Sequence, residues 1–200
     1  MMTDPTTSQE QEAQYDFVPS NFLSSLFGTA KTVLLSPGLF YERMKTDGGI
    51  RNPLLFLMSC VLIHVTAGIL LHRWIVGVFV KDINILIQNT TFGIGAPFVT
   101  AGILFFIITR FFKASGTYEA AFRVNAYAAA LNLFSWIPIQ PAVFVIECYR
   151  IYLIAVGLSR TFSIRVSRAV VAIVLTIVIY AALGGVVAHM FGTQVPTVAP

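Results

Sequence analysis

Charge is what this sequence has least of. Asp, Glu, Lys and Arg make up 11% of its 200 residues, whereas an average soluble chain carries about 25%. A single apolar anchor could not dilute a soluble domain that far, so the whole chain reads as membrane-like. Cysteine is nearly missing as well. Cys60 and Cys148 each sit inside an apolar run, which excludes a disulfide framework and predicts free thiols. No Cys/His spacing matches a metal site, and there is no nucleotide-binding glycine loop, Ser–His–acid order or metalloprotease motif. The segment from Met1 to Asp16 is polar and acidic, where a signal peptide needs a basic start and an apolar core. These absences point to a non-enzymatic protein with no cofactor and no metal.

What is present is apolar surface. Hydrophobic residues make up 56% of the chain and the mean hydropathy is +0.79. Residues 169–190 contain no Asp, Glu, Lys or Arg, and Arg160, Arg165 and Arg168 stand directly before them. At about 1.5 Å per residue, such a helix crosses a hydrocarbon core about 30 Å thick. Four more spans are expected at about 53–71, 92–109, 120–137 and 142–158. The third and fourth are joined by a tight turn at Pro138 and Pro141. The expected fold is an all-α integral membrane protein, a bundle of five transmembrane helices filling residues 53–191. The connection 72–91, with Lys81-Asp82 at its middle, reads as an interfacial or a re-entrant segment.

Ahead of the spans, residues 1–19 read as a disordered tail, polar and with little to bury. Residues 20–52 read as cytoplasmic amphipathic helices. On a 100° wheel Phe22, Leu23, Leu26, Phe27, Ala30, Val33 and Leu34 share an arc of about 140°, while Ser24, Ser25, Gly28, Lys31 and Thr32 lie outside it. That face suits a short N-terminal interfacial helix lying on the bilayer, or one packed on the spans; the two roles are compatible. Ser36-Pro37 then starts a second short helix, and Gly48-Gly49 ends it.

Basic residues set the threading. With the N-terminus inside, nine of them face the cytoplasm: Lys31, Arg43, Lys45, Arg51, Arg110, Lys113, Arg160, Arg165 and Arg168. Only Arg73 and Lys81 fall on the other side. The bias predicts a cytoplasmic N-terminus and, after five spans, an extracytoplasmic tail at 192–200. The net charge of +4 therefore marks topology and contact with anionic headgroups of the lipid bilayer, not a nucleic-acid face.

Ionisable residues inside the spans are few. Glu119 and Arg123 are four apart at the cytoplasmic start of the third span, a favourable helix pairing. Glu147 and Arg150 are three apart near the middle of the fourth. An unpaired central charge costs about 2.5–3.5 kcal/mol on insertion scales, so this pair is expected inside the bundle. Asn125 and Asn132, seven apart, share one stripe of the third span with Trp136 nearby. These six residues form a candidate intramembrane polar cluster, read first as a structural lock between helices and second as an ion, proton or headgroup path. His64, alone in mid-span, reads as a hydrogen-bonded packing residue rather than a metal ligand.

Three stretches resemble a known family. Ser36-Pro37-Gly38-Leu39-Phe40-Tyr41-Glu42-Arg43-Met44 is similar to the short Pro-and-Phe segment that opens the Yip-type membrane domain. Gly116-Thr117-Tyr118-Glu119-Ala120-Ala121-Phe122-Arg123-Val124, with Ala126-Tyr127 and Trp136-Ile137-Pro138, resembles its middle. Tyr152 to Leu158 and Ser167-Arg168-Ala169 resemble its end, so the likeness covers most of 30–190. The resemblance implies five spans and a cytoplasmic N-terminus. Eukaryotic members are linked to Rab GTPases and ER–Golgi traffic, but this chain has a shorter N-terminal region and resembles the compact bacterial members. A Rab partner is therefore not carried over, and a bacterial cytoplasmic membrane is the expected location. The function expected is organisation of the membrane or of partner proteins, including self-association. The alternative is a small transporter or channel using the charged third and fourth spans.

Overall fold

The computed structural model describes residues 15–76, 82–136 and 139–190, and within those all regular structure is helical. Two short helices come first, α1 (Phe22–Leu35) and α2 (Pro37–Arg43), with Pro37 in the first turn of α2. Proline is at home there because the first amide of a helix has no intrahelical partner anyway. Four long helices follow among the described residues: α3 (Arg51–Val76), α4 (Asp82–Arg110), α6 (Gln140–Thr161) and α7 (Val166–Met190). Each contains a stretch long and apolar enough to cross a membrane.

The expected third span is different in kind. Its residues form α5 (Tyr118–Ala128), only 11 residues long, followed by a 3-10 helix over Ala129–Leu133. Together they rise about 26 Å, less than the roughly 30 Å hydrocarbon core. Residues 137 and 138, at the end of that expected span, lie outside the described residues. From Ala120 to Leu131 every residue is buried. α5 lies at the centre, touching α3, α4 and α6, while α7 packs on the outside against α4 and α6. Alanine makes this possible: Ala120, Ala121, Ala126, Ala128, Ala129 and Ala130 let the surrounding backbones come close. Gly157 of α6 serves the same approach, since a Cβ there would stand 2.6 Å from Val124 Cγ1.

Two further expectations are revised. Most of the 72–91 connection is helix, because α3 runs on to Val76 and α4 starts at Asp82; residues 77–81 lie outside the described residues. The stretch 15–19, assigned to a disordered tail, is packed on the bundle. Phe17 is 0% exposed, its ring against Phe22 and Phe56. Composition hid this, because one aromatic and one carboxylate suffice to dock a segment that is otherwise polar. The rest of that tail, residues 1–14, and the C-terminal tail 192–200 lie outside the described residues.

α1 divides its apolar arc. Leu26, Ala30 and Val33, with Ser25, Thr29 and Thr32, turn toward the bundle. Leu23, Phe27 and Leu35 are exposed on the other side, with exposed Lys31.

Candidate functional site

Two polar sites form around two arginines. The first is a clasp at the start of α5. Thr117 caps the helix by accepting from the Ala120 amide at 3.1 Å, and this places Glu119 in the first turn. Arg123, one turn on, donates through Nε to Glu119 Oε1 at 3.1 Å and through Nη1 to Asp16 Oδ2 at 3.2 Å. Its Nη2 donates to the Gly49 carbonyl at 2.8 Å and to that of Asp47 at 3.3 Å. Gly48 and Gly49 have φ of 109° and 87°, a left-handed turn that glycine adopts without Cβ strain. That turn aims the loop carbonyls at the guanidinium.

Asp16 is held from its other side. Its Oδ1 accepts from the Tyr127 hydroxyl, one turn beyond Arg123, and from the Phe17 amide at 3.0 Å. The Arg123 side chain is 1% exposed. A guanidinium offers five donors, and every one of its nitrogens is engaged here. One buried cation thus fastens the N-terminal segment and the loop before α3 to α5. Nearby, Tyr41 of α2 donates to the Val124 carbonyl at 3.3 Å. Burial, with Tyr149 adding to it, pushes the Tyr41 phenol well above its ordinary range, which keeps it a donor.

The second site is deeper. Arg150 on α6 donates through Nε to Glu147 Oε2 at 3.1 Å and through Nη2 to Asn132 Oδ1 at 2.8 Å. The Ser135 hydroxyl lies 3.0 Å from His64 Nδ1, so the turn after α5 is tied to α3. Trp136 folds back to donate to the Leu133 carbonyl at 2.7 Å. Asn125 donates to the Ala121 carbonyl of its own helix at 2.9 Å. Asn125, Asn132, Arg150 and His64 all border one cleft of about 460 Å³, whose apolar walls include Leu57, Phe92 and Pro97.

The six residues chosen from the sequence therefore fall into two groups. Glu119 and Arg123 belong to the clasp, whereas Asn125, Asn132 and Arg150 line the cleft and Glu147 pairs with Arg150 outside that lining. The expectation that placed Glu147 and Arg150 inside the bundle is not met by Glu147, whereas Arg123, expected at the cytoplasmic start of the third span, is enclosed by protein. The Glu147 side chain is 54% exposed and that of Arg150 25%. The reason is geometric: α6 is peripheral at that level, while α5 is enclosed. Asp16 and Tyr127 were missed altogether, since 111 positions separate them and no spacing rule links them. His64 fits its expected hydrogen-bonded role through Ser135. Among the described residues no three His, Cys, Asp or Glu side chains gather as a metal site would require.

No curated protein and no solved structure matches the chain. A family model does: the Yip1 domain matches residues 31–188. That span takes in α2, both arginines and the apolar stretches of all four long helices, though not Asp16, and so the chain belongs to the Yip1 domain family of multi-pass membrane proteins.

Proposed function

We propose that this protein is a non-enzymatic membrane organiser, with α1 as its contact to lipid and to neighbouring membrane proteins. The observation that carries the reading is the two-sided α1. One face is fixed to the bundle, while Leu23, Phe27 and Leu35 point away from it beside Lys31. An exposed apolar stripe flanked by a lysine suits the boundary between acyl chains and anionic headgroups. The clasp supports the same reading, because it holds the segment before α1 rigidly against α5.

We also propose five crossings, the third being the interrupted segment α5 and its 3-10 extension. Arg160 near the end of α6 faces Glu42 of α2 at 3.8 Å. Arg150 lies ten residues earlier, about 15 Å along the helix, and meets Asn132. The chain has thus climbed well into the bundle by Asn132, and α6 begins further still from α2. Broken helices are tolerated at membrane depth where protein encloses them, as it does α5. With nine cytoplasmic basic residues against two, this gives a cytoplasmic N-terminus and an extracytoplasmic C-terminus. The bacterial cytoplasmic membrane is the proposed location.

The test uses full-length protein in nanodiscs with anionic lipid. Fluorophores at Leu23→Cys and Phe27→Cys, in a background lacking the two native cysteines, should be quenched by brominated lipid and shielded from aqueous iodide. Iodide quenching at both positions would remove the interfacial role. Reporter fusions after residue 200 should read as extracytoplasmic and fusions near Gly116 as cytoplasmic. A cytoplasmic C-terminus would mean that the α5 segment does not cross.

A further inference from the structure

The cleft beside Arg150 takes no part in the clasp or in the exposed face of α1. Its volume of about 460 Å³ lies within the roughly 300–1,000 Å³ typical of small-molecule sites. It lies deep in the bundle: His64 is thirteen residues beyond Arg51, about 20 Å along α3. Phe92 in its lining is 70% exposed, so the cleft is open at this residue rather than sealed.

Its polar groups are incompletely used. Arg150 spends Nε on Glu147 and Nη2 on Asn132, and among the described residues no hydrogen bond reaches Nη1. Asn132 gives its carbonyl oxygen to Arg150, which leaves its NH2 group as a donor. Asn125 is only 7% exposed and borders the cleft. Its amide nitrogen must face the Ala121 carbonyl, so its oxygen is the end left without a partner among the described residues. Glu147 is not part of the lining and holds the guanidinium by its Nε edge. The cleft thus presents a fixed cation and an amide NH2 between apolar walls, with the Asn125 oxygen free to accept from a hydroxyl carried beside the anion. That combination asks for an acceptor-rich anion carried on an apolar body.

We propose that this cleft binds a phosphate ester, with Arg150 Nη1 and the Asn132 amide donating to the phosphate oxygens. Arginine matches phosphate geometry and meets it through charge-assisted hydrogen bonds. The ester group comes either from a phospholipid entering beside Phe92 or from a soluble phosphate compound. The apolar walls at Leu57, Phe92 and Pro97 favour the lipid. This site is independent of α1, and neither reading needs the other.

The experiment measures binding to full-length protein purified in an uncharged maltoside detergent. The probes are dioctanoyl phosphatidylglycerol, dioctanoylglycerol and inorganic phosphate. Dioctanoyl phosphatidylglycerol should bind, and the neutral diacylglycerol should bind about tenfold or more weakly, one charge-assisted contact being enough for that factor. Arg150→Gln should weaken the phospholipid by a similar factor. Ala96→Phe, which fills the cleft while leaving every polar group in place, should weaken it too. This second variant keeps the test valid if Arg150→Gln fails to fold. Inorganic phosphate competing only at much higher concentration identifies a lipid headgroup; phosphate binding as tightly as the phospholipid identifies a soluble ester. Equal binding of phosphatidylglycerol and diacylglycerol would overturn the proposal, as would phospholipid affinity unchanged in Ala96→Phe.

Discussion

Arg123 and Arg150 carry the same group in neighbouring helices, yet their surroundings are opposites. Arg123 is 1% exposed and meets two carboxylates and two backbone carbonyls. Arg150 is 25% exposed, meets one half-exposed carboxylate and one amide, and keeps a nitrogen in reserve. A buried ion pair contributes little net stability when weighed against an apolar replacement, but removing one partner strands the other. The clasp is therefore a fastening whose loss is costly, while the deeper arginine sits in surroundings suited to exchange a ligand. Degree of enclosure, not residue type, separates a structural charge from an available one.

The sharpest way to break this contrast is Arg123→Gln. It leaves Asp16 and Glu119 without their cation and two loop carbonyls without their donor. Thermal unfolding in detergent should show a loss of about 3–5 kcal/mol, the usual cost of splitting a buried pair. A loss below about 1 kcal/mol would mean that water reaches the clasp and that the two arginines are alike.

Tyr127→Phe refines the clasp. It removes the hydroxyl that donates to Asp16 and leaves the packing of the ring with Phe40 and Phe56 in place. Hydrogen bonds to charged groups contribute about 1.5–3 kcal/mol, so the loss should fall in that range. Adding it to Arg123→Gln should cost less than the sum, because both act on Asp16. Full additivity would show that the hydroxyl and the guanidinium do not share that carboxylate.

The smallest effect belongs to the deeper site. Glu147→Gln and Arg150→Gln should each cost about 2.5 kcal/mol or less, the low end of the insertion cost of an unpaired charge at mid-span, because the open cleft lets water reach whichever charge is left. The double change should show weak coupling in a mutant cycle. If either single change rivals Arg123→Gln, the Arg150 site is a second lock and the contrast between the regions collapses.

Much of this was readable beforehand. Residues 169–190 announced a span by length and lack of charge, and α7 does supply a stretch apolar enough to cross. The Glu119–Arg123 and Glu147–Arg150 pairs follow from helical spacing alone, and both are made. Asn132 with Arg150 could not be read, because that contact depends on how α5 turns into a 3-10 helix and meets α6. Asp16 was the largest omission. In the sequence it is one acid among several in a polar segment; only the Tyr127 hydroxyl and the Arg123 guanidinium distinguish it.

Composition and periodicity by themselves determined that the chain is helical, that it belongs in a membrane and which flanks are basic. These properties depend on neighbours along the chain, on helix rise and on transfer of apolar surface, so they survive without knowledge of packing. Which helix is enclosed was decided by the tertiary structure alone. α5 is the least apolar of the expected spans, and a hydropathy reading places it no deeper than the rest. Its alanines let α3, α4 and α6 close around it, and that enclosure lets Arg123 and Asn125 sit buried within the protein. Burial is a property of what surrounds a residue. For Arg123 and Arg150 those surroundings come from segments as distant in the chain as Asp16 and Asn132.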